Sequence, residues 1–209
     1  MMLKLFFVAA LLIPLLAHAA PEGSDHYFSC RSCHGDSGLG SPAIHAPALA
    51  GQSTDYLVRQ LRHFRIGIRG AHPEDKWGQQ MALMAANLDE DQIVGVAQFI
   101  AELPPWPAGK VESHASARIV ELYSSCALCH GDKGQGNPTA SVPRIGGLND
   151  VYLATQMRNF RDGRRGFTEE DIYGKQMRDA MIVMDDTSID GLARYIASLG
   201  GVRTLLPDD

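Results

Sequence analysis

Cys30-Arg31-Ser32-Cys33-His34-Gly35-Asp36 and Cys126-Ala127-Leu128-Cys129-His130-Gly131-Asp132 are two copies of one motif, set 96 residues apart. The offset holds without a gap from residue 30 to residue 103, and 31 of those 74 positions are identical to their partners. A period this long, present only twice, marks two duplicated globular units rather than a solenoid. Matched pairs run through Pro47/Pro143, Tyr56/Tyr152, Gln60/Gln156, Phe64/Phe160, Arg65/Arg161, Arg69/Arg165 and Met81/Met177. The expected domains are 21–103 and 113–203. Between them, 104–112 is a semi-rigid proline-rich linker in which Trp106 is placed to wedge between the units.

Each unit reads as helical. A first helix leads into the cysteines, best seen over Ala115 to Leu128. A glycine- and proline-broken loop follows, from Gly35 to Gly51 and from Gly131 to Gly147. A second helix begins near Ser53 or Asn149, shows apolar spacing at Tyr56, Leu57, Leu61 and Phe64, and stops at Gly67 or Gly163. A third starts at the capping residues Asp89 and Asp185, with Ile93, Val96, Ala97, Ile100 and Leu103 mirrored by Ile189, Leu192, Ala193, Ile196 and Leu199. Neither unit contains a β-branched alternating run, so the predicted fold is all-α.

The 209 residues are 45% hydrophobic and 21% charged, which excludes a disordered chain. A net charge of −5 gives no electrostatic footing for nucleic acid. Residues 1–20 read as a signal peptide: Lys4, an apolar run from Leu5 to Leu16, and the small-residue site Ala17-His18-Ala19. That run is too short for the roughly 20 residues of a spanning helix. The mature chain is therefore expected outside the cytoplasm without a transmembrane span, and loose membrane association is compatible with it. Aromatics make up only 7%, thin for two cores of this size, so something besides side chains is expected to fill them.

Cys-x-x-Cys-His is the spacing for covalent haem attachment: two thiols form thioethers to the vinyl groups and the histidine is held under the iron. Zinc knuckles would stand about 15–20 residues apart, whereas 92 residues separate Cys33 from Cys126. A thioredoxin-like pair needs a βαβ setting, and a disulfide scaffold a smaller, denser chain. Cys30, Cys33, Cys126 and Cys129 are thus expected to hold two haem c groups, with His34 and His130 as proximal ligands. A ligating histidine needs its other ring nitrogen held. A backbone carbonyl near Pro47 and Pro143 is the expected acceptor.

The sixth iron position decides between electron transfer and small-molecule chemistry. No histidine recurs in both units for this role: His26, His45, His63 and His72 align with Leu122, Ser141, Asn159 and Thr168, and the counterpart of His114 lies in the signal peptide. Met81 and Met177 do recur, and they are the expected axial ligands, followed by Met84 and Met181. A thioether favours Fe(II) and raises the potential, and a closed iron carries single electrons.

With the two Cys-x-x-Cys-His-Gly motifs, the Tyr-Leu-x-x-Gln-Leu-x-x-Phe-Arg segment (56–65) with its copy (152–161), and the Gln-Met sites, the sequence resembles the dihaem cytochromes c4. The resemblance spans about residues 22 to 203. It implies two class I cytochrome c domains, haems close across a pseudo-twofold interface, and periplasmic electron delivery to a haem–copper terminal oxidase. Partners would then be redox proteins, a donor complex and the oxidase, and the chain itself would not be an enzyme. Met184 stands where this family has leucine before the last helix. Two other functions compete: a dihaem enzyme with one open haem (peroxidase-like or a sulfur-compound dehydrogenase), and a permanent electron-accepting subunit of a dehydrogenase. The repeated arginines Arg65, Arg69, Arg161 and Arg165 are expected either to pair with haem propionates, to brace the interface, or to lie solvated at a helix end.

Overall fold

A computed structural model describes residues 23–105 and 115–199. Residues 1–20, expected to be a signal peptide, and Trp106, expected to wedge between the units, lie outside them. The described residues form helices, with no strand among them beyond isolated bridges at Ser41–Ala46 and Asn137–Val142. In the first unit these are α1 (Ser24–Tyr27), α2 (Arg31–His34), α3 (Thr54–Arg65), α4 (Lys76–Ala85) and α5 (Glu90–Glu102). In the second they are α6 (Ala117–His130), α7 (Asp150–Arg161), α8 (Ile172–Met181) and α9 (Asp186–Leu199).

Local sequence explains the helix starts. Ser53 and Asn149 accept hydrogen bonds from the Tyr56 and Tyr152 amides, capping α3 and α7. Asp89 and Gln92 form a reciprocal capping box at α5, and Asp185 Oδ1 accepts from the Ser188 amide at α9. The long helices α3 and α7 end at Arg65 and Arg161, two residues before Gly67 and Gly163, whose backbones are left-handed.

The last helices carry the cores. Ile93 and Val96 in α5, and Ile189, Leu192 and Ile196 in α9, are all but completely buried, each worth about 1.5–3 kcal/mol against exposure. In the first unit α3 packs on α4 and α5, and α1 on α5; in the second α7 packs on α8 and α9, and α6 on α9. Matched aromatic pairs, Tyr27–Phe99 and Tyr123–Tyr195, each have ring centroids 5.2 Å apart and tie the motif segment to the last helix.

Two features depart from the sequence reading. The first helix is continuous only in the second unit, where it runs on to His130. In the first unit it breaks between α1 and α2, where the Phe28 and Cys30 amides bond three residues back rather than four. The structure also adds α4 and α8, the segments that carry Met81 and Met177. Each is N-capped by a buried aspartate, Asp75 or Asp171, accepting from the Gly78 or Gly174 amide. The carboxylate of Asp75 lies where a Cβ on Gly78 would stand, so only glycine admits this cap.

Candidate functional site

Each motif segment delivers its histidine to the interior. His34 and His130 are 4% and 5% exposed. His34 Nδ1 lies 2.9 Å from the Pro47 carbonyl oxygen, and His130 Nδ1 lies 3.0 Å from that of Pro143. A carbonyl only accepts, so Nδ1 carries the proton and Nε2 keeps its lone pair. Burial pushes both imidazoles below their ordinary range, partly opposed by the carbonyl bond, which favours the neutral ligating form. The sequence expectation of a loop carbonyl at these prolines is met in both units.

The loop that supplies the carbonyl is tightly folded. The Gly40 and Gly136 amides donate to the His34 and His130 carbonyls at 2.8 Å, closing the loop onto the motif. Both glycines have positive φ, and a Cβ on Gly40 would stand 2.5 Å from the Ala46 carbonyl oxygen and the Pro47 carbonyl carbon. Gly40→Ala is therefore expected to destabilise the holoprotein by about 1–3 kcal/mol and displace the Pro47 carbonyl. Thermal unfolding followed by haem absorbance checks this, and an unchanged midpoint counts against it.

Two tyrosines that the sequence reading passed over fix the other side of the motif. Tyr27 and Tyr123 donate their hydroxyls to the Gly35 and Gly131 carbonyls at 2.6 and 2.7 Å. Burial raises both hydroxyls, Tyr27 to about 12, so they remain donors at neutral pH. Their signal in the sequence was that they too stand 96 residues apart, just ahead of the cysteines.

None of the four motif cysteines is paired in a disulfide. Burial pushes the Cys30 and Cys126 thiols up, opposite to the depressed thiol of a redox-active Cys-x-x-Cys. Met81 sits on α4 between Gly78 and Ala85, three residues before and four after it, which are both buried. Met177 occupies the same place on α8, between buried Gly174 and Met181, and packs against the second core. The other methionines have different settings. Met84 is exposed, whereas Met181 is fully enclosed in the core at the position of equally enclosed Ala85. Met184 lies against the second core, as Leu88 does against the first.

Between the units lies a buried polar ring. Gln60 Oε1 accepts from Arg69 Nη1 at 2.6 Å and Arg165 Nη2 at 2.9 Å. Gln156 Oε1 accepts from Arg165 Nη1 at 2.8 Å and Arg69 Nη2 at 3.1 Å. Each guanidinium also lies 4.4 Å over its own unit's Phe64 or Phe160. Outside the ring, Gln52 pairs its side-chain amide with the Arg144 backbone, donating at 2.7 Å and accepting at 3.1 Å.

The four repeated arginines thus divide. Arg69 and Arg165 brace the interface. Arg65 and Arg161 bond within their own units, to Glu90 and the Leu88 carbonyl, and to Asp186, Asp162 and the Met184 carbonyl. Arg65→Gln is accordingly expected to leave both haem potentials in place in a redox titration; a shifted potential would return this residue to the haem.

The family model for cytochrome c matches residues 20–104 and, a second time, residues 116–200. Cytochrome c4 of Azotobacter vinelandii is 27% identical over 197 residues, covering 88% of this chain and 92% of that protein. The chain belongs to the dihaem cytochrome c4 family. Reduced recombinant cytochrome c4 from Pseudomonas stutzeri superposes with a TM-score of 0.71 at 26% identity, covering 87% of this chain and 99% of that one. A thiosulfate dehydrogenase electron acceptor of Stutzerimonas stutzeri is 30% identical over 217 residues, covering 94% of each chain.

As a cytochrome c4, the protein carries two covalently bound haem c groups in tandem cytochrome c domains and transfers electrons. The residues present fit the group: in each unit a buried histidine whose Nδ1 is held by a carbonyl, two cysteines outside any disulfide in the same motif, and a half-buried methionine on a separate helix. No described helix of this cytochrome is long and apolar enough to cross a membrane.

Proposed function

We propose that this dihaem cytochrome is a periplasmic shuttle that takes single electrons from a donor complex and delivers them to a haem–copper terminal oxidase. Cys30, Cys33, Cys126 and Cys129 would hold the haems, His34 and His130 would bind iron through Nε2, and Met81 and Met177 would close the opposite faces. Bound haem supplies a reversible Fe(II)/Fe(III) couple in each unit. The chain's own residues do the rest. The Pro47 and Pro143 carbonyls fix the imidazole tautomer, and the thioethers favour the reduced state. The Arg69–Arg165 ring holds the two units in register for electron exchange.

The observation that carries this reading is the sameness of the two sites. The His–Pro carbonyl bond, the tyrosine anchor, the aspartate-capped helix and the methionine recur at matched positions. An enzyme in which one haem feeds an open one needs those sites to differ. Processing after residue 20, with units at 21–103 and 113–203 joined by 104–112, belongs to the same proposal.

Membranes containing a haem–copper oxidase are expected to consume oxygen with the reduced holoprotein as sole donor, while the protein alone turns over no peroxide. Peroxide turnover without oxidase would favour the enzyme. A second reading, electron acceptor of a sulfur-compound dehydrogenase, draws on the relative named thiosulfate dehydrogenase electron acceptor. Co-purification with a dehydrogenase, with no transfer to the oxidase, would favour it.

A further inference from the structure

Asp75 and Asp171, the buried caps of the methionine-bearing helices, each face a residue from the other unit. Asn159 on α7 donates its side-chain amide to Asp75 Oδ1 at 3.1 Å. The residue 96 positions earlier, His63 on α3, meets Asp171, with Nδ1 3.7 Å from Oδ1. That is beyond hydrogen-bond reach, and His63 Nδ1 is buried without a partner. The pseudo-twofold thus pairs a permanent donor with a titratable one. Resting on the reading that Met81 and Met177 bind the irons, we propose that His63 is a cross-unit positioning residue that makes the potential of the second unit's haem depend on pH through the Asp171 cap.

The groups facing His63 set the sign. Burial holds its imidazole below the ordinary range; Asp171 pulls it up, and Arg59, Arg165 and Arg69 push it down. His63 is therefore neutral at pH 7 and takes up a proton on acidification. The imidazolium Nδ1–H is then drawn to Asp171 Oδ1, giving α8 the cross-unit brace that Asn159 always gives α4. The added positive charge favours Fe(II), so the potential of that haem rises as pH falls. By linkage, reducing it draws the proton to His63 by the same factor. At Asp75 nothing equivalent titrates, because Asn159 keeps its amide at every pH.

The test is a redox titration of the doubly haem-loaded protein from about pH 5 to about pH 8, in wild type, His63→Asn and Asn159→His. In wild type, one haem's Fe(II)/Fe(III) equilibrium is expected to shift about tenfold across the acidic part of that range. His63→Asn copies the residue already standing at the twin position, so the interface is preserved, and it flattens that haem's response. Asn159→His confers a response on the other haem. An undiminished slope in His63→Asn would overturn the proposal. The far-red Met–Fe(III) band is read in the same samples: its absence strikes the methionine ligands, while the slope in His63→Asn still decides the role of His63.

Discussion

Met177→His lowers the potential of one haem and leaves the other nearly where it was. The matched substitution Met81→His does the same to the other haem. Imidazole is a stronger donor than a thioether and stabilises Fe(III) relative to Fe(II). The expected drop is on the order of 0.2 V, within the roughly 0.8 V over which axial ligands set haem potentials. Half-buried Met177 stands beside the second core, so the fold can enclose the replacement. Spectra recorded during titration check the result, since the far-red band should fall to about half its intensity when one of two methionines is replaced. Two unmoved potentials would mean that another residue closes the iron, with buried Met181 or exposed Met84 next in line.

Gln60→Leu is the second large effect. Its single oxygen accepts from both Arg69 and Arg165, and all three side chains are buried. Leucine matches the volume and removes the acceptor, leaving two guanidinium groups each short of one partner. Losing an acceptor for a buried charged donor costs about 3 kcal/mol. Because the ring spans both units, the loss should also weaken their coupling. Denaturant unfolding followed separately at the two haems is expected to change from one transition to two. A single transition at the wild-type midpoint would show that the ring contributes nothing to holding the units together.

The setting of the motif histidines was largely legible in the sequence because it is local. The cysteines and histidine occupy one turn of chain, and the Pro47 carbonyl is reached by a short glycine-bent loop. The helices α4 and α8 were not legible. Gly78 and Gly174 sit in their first turns, where glycine weakens the helical signal. Their stabilising feature is an aspartate that accepts from the glycine amide three residues on, and its burial shows only in the fold. Of the interface, only the recurrence of Gln60, Arg69, Gln156 and Arg165 was visible. That each glutamine serves both arginines arises from docking two copies against each other, for which no residue pattern within one unit speaks. The mismatch of His63 with Asn159 was visible as a non-identical pair in the repeat and became meaningful only once Asp75 and Asp171 were found opposite them.

Carbon monoxide binding to the fully reduced holoprotein tests the closed-iron account most directly. With Met81 and Met177 holding the sixth positions, the reduced spectrum of both haems should stay unchanged under carbon monoxide at neutral pH. Rapid and tight capture at either haem would reveal an open coordination face and contradict the shuttle.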